Sequence, residues 1–228
     1  MLLRCVLGAV LLLAPSVAFA GDASNVWTGG YLGLDLGGGI GAVSVTDTNG
    51  GVAPGPFTYS TEDLLADIRA GFNLQAGPFV LGLEGKVGYL DPIGKGLVPS
   101  TTPPNHQDLT ITPGATAELS ARLGLGLDRT LIYAKGGAVW FGGTALQTTT
   151  KPGYQTEPSG NFTGWTAGLG IEAMIAGNLS LSAEYTHTVY GTVTGDQLST
   201  GDDPIGYRYY DDTAFSTDTI TVGLNVHF

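Results

Sequence analysis

Residues 217–228 read TDTITVGLNVHF, and this stretch decides the fold. Ile220, Val222, Leu224, Val226 and Phe228 alternate with Thr219, Thr221, Gly223, Asn225 and His227. A period of two sends the two sets to opposite faces of a β-strand. The same alternation recurs upstream. Leu64, Ala66, Ile68, Ala70, Phe72 and Leu74 face away from Asp67, Arg69, Gly71, Asn73 and Gln75. Phe79, Leu81, Leu83, Val87 and Tyr89 oppose Gly82, Glu84, Lys86 and Gly88, and Leu119 to Leu127 oppose Glu118, Ser120, Arg122, Gly124 and Gly126.

Eight such strands are predicted, at roughly 29–46, 63–75, 79–90, 117–127, 131–145, 162–175, 179–190 and 217–228. Each is long enough to cross a bilayer when tilted, which takes about 9–11 residues. The connections segregate by length. Ala76-Gly77-Pro78, Asp128-Arg129-Thr130 and Ala176-Gly177-Asn178 are short. The stretches 47–62, 91–116, 146–161 and 191–216 are long and polar. Short turns at one end and long loops at the other describe an all-β, eight-stranded antiparallel up-and-down transmembrane β-barrel. Both chain ends then lie on the short-turn side. A soluble β-sandwich or lipocalin-like barrel also alternates. Aromatics at strand ends favour the membrane barrel, because they suit interfacial girdles. Trp27, Tyr31 and Phe79 are predicted near one interface, and Tyr89, Trp140, Trp165 and Tyr190 near the other.

Composition agrees. Gly accounts for 37 of 228 residues, charged residues for 13 %, and the net charge is −11. So much Gly disfavours helices, an acidic chain repels phosphates, which disfavours nucleic acid, and 43 % hydrophobic residues exclude disorder. Residues 1–20 read as a cleaved signal peptide: Arg4, an apolar run from Leu7 to Ala14, and Ala18-Phe19-Ala20 before the cut. Residues 21–228 form the barrel domain. Cys5 precedes the apolar run, so it is not a lipoprotein Cys and leaves with the signal. The mature chain therefore has no disulfide framework.

Parity sends Asp67, Arg69, Glu84, Lys86, Glu118, Arg122, Lys135, Glu172 and Glu184 inward. A Lys or Arg facing lipid at the midplane costs about 2–4 kcal/mol, so pairing within a narrow lumen is favoured. Gly33, Gly37, Gly39 and Gly41 on the first strand leave room for long opposing side chains. A lumen plugged by ion pairs is preferred to a pore, because side chains fill an eight-stranded interior.

Several stretches carry a family resemblance. They include Trp27-Thr-Gly-Gly-Tyr-Leu-Gly, Ala70-Gly-Phe-Asn-Leu-Gln-Ala-Gly-Pro, Arg122-Leu-Gly-Leu-Gly-Leu-Asp-Arg, Tyr133-Ala-Lys-Gly-Gly-Ala, Gly164-Trp-Thr-Ala-Gly-Leu-Gly-Ile-Glu and Val222-Gly-Leu-Asn-Val-His-Phe. In this order along the mature chain they resemble the small outer-membrane β-barrel proteins of Gram-negative bacteria. The likeness is greatest to the outer-membrane immunogenic, porin-like surface proteins of alphaproteobacterial type, and more distant to the OmpA-type barrel. The resemblance implies an interior ion-pair network at Glu84, Arg122, Lys135, Glu172 and Glu184, with Lys86, Arg69 and Asp67 added. A further Arg expected near Ser182 is missing. It also implies that Phe228 is the recognition signal for the barrel-assembly machinery. The expected partners are that machinery, outer-membrane lipid and lipopolysaccharide, with host or phage contacts through the loops. Nucleic acid is not expected as a partner. A low-conductance channel is the alternative function.

No chemistry stands out in the remainder. His187 faces outward and is followed by Thr188-Val189, with no Ser two residues on, so a girdle role is preferred to catalysis. His106, His187 and His227 are too scattered for a metal site. Asp202-Asp203 and Asp211-Asp212 lack the spacing of a calcium loop and read as solvated acids. No enzyme, cofactor or metal is expected.

Overall fold

The computed structural model describes residues 26–47, 56–99, 106–149, 154–157, 159–199 and 208–228. The signal segment, Cys5 and Asp202-Asp203 lie outside these residues, as does the side chain of His106. Eleven strands follow in order: β1 (Gly29–Asp47), β2 (Pro56–Ala76), β3 (Phe79–Ile93), β4 (Gly96–Pro99), β5 (His106–Ile111), β6 (Gly114–Leu127), β7 (Thr130–Thr149), β8 (Tyr154–Glu157), β9 (Ser159–Ala176), β10 (Leu179–Ser199) and β11 (Arg208–His227).

Eight of them close a ring, each pairing antiparallel with the next: β1, β2, β3, β6, β7, β9, β10, β11 and back to β1. Closure leaves no free edge in the wall. The seam is tight. Gly30 N donates to Phe228 O at 3.0 Å, and Phe228 N donates to Gly30 O at 2.9 Å.

The short connections are two-residue hairpins. Gly77 (φ 60°), Asp128 (φ 54°) and Gly177 (φ 52°) occupy the first turn position in the left-handed region. Primed turns need that sign to match strand twist. Pro78, with its fixed negative φ, suits the second position of such a turn.

The strands run further than the sequence predicts. β2 begins at Pro56 rather than 63, β10 continues to Ser199, and β11 begins at Arg208 rather than 217. Three short strands are added: the β4–β5 hairpin extends β7, and β8 pairs with β10. Aliphatic side chains facing outward marked the strands in sequence. Beyond the lipid that outward face turns polar, as at Thr58, Ser60 and Glu62, while backbone pairing continues.

The apolar distribution is inverted relative to a soluble protein. Leu34, Leu36, Leu81, Leu83, Leu119, Leu123, Leu169, Ile171 and Ile220 are exposed on the outside. Arg69, Glu84, Arg122, Glu172 and Glu184 are buried inside. Only a hydrocarbon surround makes this arrangement favourable. The first strand's glycines serve two purposes. A Cβ on Gly33 would strike the side chains of Asn225 and Arg69, and one on Gly41 those of Thr61 and Phe215. Gly37 and Gly39 instead lie against the β11 backbone, so they permit close approach and coiling rather than making room for side chains.

Candidate functional site

The lumen is filled in three tiers. At the short-turn end, Trp27, Val80, Leu131, Tyr133 and Met174 form an apolar floor. Trp27 lies just before β1 and turns up under the barrel. Its backbone N–H donates to Gln75 Oε1 at 3.1 Å and its Nε1 to the Asp128 carbonyl at 3.3 Å. The ring stands edge-on to His227, with centroids 5.7 Å apart.

The middle tier is ionic. Glu84 on β3 lies within reach of four cations from four strands: Arg69 at 3.4 Å, Lys86 at 4.0 Å, Arg122 at 3.4 Å and Lys135 at 3.6 Å. Glu184 on β10 meets three of them: Arg69 at 3.9 Å, Lys86 at 2.6 Å and Lys135 at 2.8 Å. Asp35 on β1 holds Arg69 by a two-pronged contact at 2.5 and 2.6 Å, a geometry that suits the planar guanidinium. Glu118 takes Lys135 at 2.7 Å. Arg122 reaches Glu172 at 3.0 Å and lies over the Tyr133 ring at 3.7 Å, a cation–π contact. Tyr31 donates to Glu84 and Tyr133 to Glu184, both at 2.8 Å. Glu172 also accepts from Ser180 and Asn225 and contacts His227 Nε2 at 2.9 Å. Asp67 lines the same lumen and accepts from Thr116 at 3.3 Å.

Above the ions, in the half that carries the long loops, Val43, Val45, Leu90, Leu109, Ile111, Val139, Phe141, Phe162, Tyr190 and Phe215 pack as a second apolar cluster. Tyr190 and Phe215 stack with centroids 5.2 Å apart and planes 8° apart. A cavity of about 40 Å³ lies between this cluster and the ions, bordered by Asp67, Lys86, Glu118 and several threonines.

Side-chain parity thus brings the nine sequence-predicted charges into one lumen. Trp27 corrects a sequence expectation: it is fully buried in the floor, not in a lipid girdle. Tyr31 and Tyr190 are likewise interior. The reason is parity. Tyr31 shares a row with Gly33 and Asp35, and Tyr190 shares one with Glu184, Thr186 and Thr188. Trp140 and Trp165 do face outward, 38 % and 53 % exposed. Asp35, Tyr31, Tyr133, Ser180 and Asn225 were missed as network members, and the alternation that exposed Glu84 would have found them. Ser182, where a further Arg was expected, donates to the Gly223 carbonyl and accepts from Asn225 Nδ2, both at 3.4 Å. Arg69 occupies the lumen from β2 instead.

A model of the outer membrane protein beta-barrel domain matches residues 7–228. The chain belongs to this family. As an outer-membrane β-barrel it has curated relatives named 25 kDa outer-membrane immunogenic protein. The Brucella ovis protein is 30 % identical over 219 residues, covering 90 % of this chain and 95 % of the relative. The Brucella abortus protein is 29 % identical over 227 residues with the same coverage. Among solved structures, the outer membrane protein OprG from Pseudomonas aeruginosa superposes with a TM-score of 0.54 at 10 % identity, covering 91 % of this chain and all of OprG. That likeness concerns the fold. Family membership places this barrel in the Gram-negative outer membrane, with its aliphatic exterior against lipid.

Proposed function

We propose that this barrel is a closed, non-enzymatic envelope protein whose lumen is plugged and whose work is done at its outer surface. One observation carries the reading: Glu84 meets four cations at the waist of the lumen, with apolar tiers above and below it. An ion crossing this waist would have to break pairs that are already desolvated. The long loops then supply contacts with the surroundings, in keeping with relatives named as immunogenic. Lipopolysaccharide around the rim and the barrel-assembly machinery, recognising Phe228, complete the proposed partners.

The cavity above the ions favours one second reading, a low-conductance channel. Its lining of Asp67, Lys86 and Glu118 has room for about two or three waters. Planar-bilayer recording separates the two readings. The plugged barrel gives no resolved openings at 1 M salt, either as wild type or as Glu84→Ala or Arg122→Ala. Wild-type steps that change size in Arg122→Ala would establish the channel instead.

A further inference from the structure

On the outer wall, β9, β10 and β11 bring together a polar cluster that the lumen argument leaves unused. Trp165, Tyr185, His187 and Asp218 all face outward. Tyr185 Oη donates to Asp218 Oδ1 at 2.6 Å, and His187 Nδ1 contacts the same oxygen at 2.8 Å. A carboxylate only accepts, so Nδ1 carries the proton and Nε2 lies on the far side of the ring. Asp218 Oδ2 stays open among the described residues, and the Asp218 side chain is half exposed. Trp165 lies beside His187, with ring centroids 6.0 Å apart, and turns half its surface outward.

The height of this cluster is informative. The outward row of β11 is aliphatic from Val226 to Ile220 and stops at Asp218. With a rise of about 2.5 Å per residue for strands tilted about 40°, the four residues lie roughly 15–28 Å above the short turns. The apolar band is about 25 Å tall. The cluster therefore spans the outer edge of the lipid, on the side of the long loops, where the headgroups of the outer leaflet begin.

We infer that Trp165, His187, Asp218 and Tyr185 bind the sugar headgroup of an outer-leaflet glycolipid. The chemistry is specific to a sugar. A pyranose ring presents C–H edges that pack on the negative face of an indole. Its hydroxyls donate to Asp218 Oδ2, and His187 Nε2 offers a further hydrogen-bonding position. Both lipids carry phosphate, so charge does not separate them at Asp218; a phospholipid headgroup brings no sugar ring to cover the indole face. An aromatic belt alone would hold any lipid at this depth; a carboxylate fixed by two donors beside the indole is what adds selectivity. The inference rests on the proposed lipopolysaccharide contact at the rim, and not on whether the lumen conducts.

The test is native mass spectrometry of the folded barrel released from micelles doped with lipid A or with phosphatidylglycerol. Wild type retains lipid A over phosphatidylglycerol by about tenfold or more, and Trp165→Ala and His187→Ala each lower lipid A retention about tenfold without changing phosphatidylglycerol. Trp165→Phe, which keeps a ring face, retains most of the binding. Asp218→Leu continues the aliphatic row of β11, so it keeps the fold and serves where a polar variant misfolds; it loses lipid A selectivity. Equal lipid A retention by wild type, Trp165→Ala and Asp218→Leu overturns the inference. So does parallel loss of both lipids, which would reduce the cluster to a belt.

Discussion

Glu84 is the residue on which the lumen's charge balance turns, because four cations share it. Removing one partner of a buried ion pair strands the others without water, and the cost is about 3–5 kcal/mol. Glu84→Ala is therefore expected to lower the unfolding free energy of the detergent-folded barrel, read from urea titration, by that amount. Glu62→Ala, on the exposed face, is expected to change it by less than about 0.5 kcal/mol. Trp27 provides a second contrast. A residue at a lipid interface tolerates truncation far better than one enclosed in a core. Trp27 is wholly enclosed although it precedes the first strand, so Trp27→Ala is expected to cost about 3–5 kcal/mol in the same unfolding measurement. A loss below 1 kcal/mol would return Trp27 to the girdle.

At the scale of strands, the β1–β11 pair is held closest where both backbones need it. A side chain on Gly39 would enter the space of the Asp218 carbonyl, which belongs to the opposing backbone and cannot rotate away. Gly39→Val is expected to prevent closure of the seam, seen as loss of the fast-migrating unboiled band on gels. Gly85→Val, on the lipid face with only the Glu118 carbonyl near its Cβ position, 3.8 Å away, is expected to fold normally. Strand positions inside the bilayer were readable from sequence because lipid demands an aliphatic residue at every second position, as from Leu64 to Leu74. Strand ends were not. Above the lipid the marker is lost, so the start of β2 at Pro56 and the whole of β4, β5 and β8 left no period to read. The lumen was legible as a list of charges but not as a wiring diagram. Parity gives the face, whereas the convergence of Arg69, Lys86, Arg122 and Lys135 on Glu84 depends on the stagger of strands around the ring.

For the whole molecule, closure is cooperative and owes nothing to covalent crosslinks, since Cys5 is the sequence's one cysteine. The folded barrel is expected to migrate faster unboiled than boiled, and reductant is expected to leave both positions unchanged. A single band under all conditions would count against a closed barrel. The seam also has a meaning in time. Tyr31 pairs with His227 and Gly30 with Phe228, so the strands that complete the ring lie at opposite extremes of the described chain. Neighbouring hairpins form from local pairs, but this junction joins the most distant segments, and loop-closure entropy delays such contacts. A sheet that has not yet joined them leaves β1 and β11 unpaired along their whole length, an edge open to the wrong neighbour. The junction that makes the wall watertight is also the one that ends this exposure.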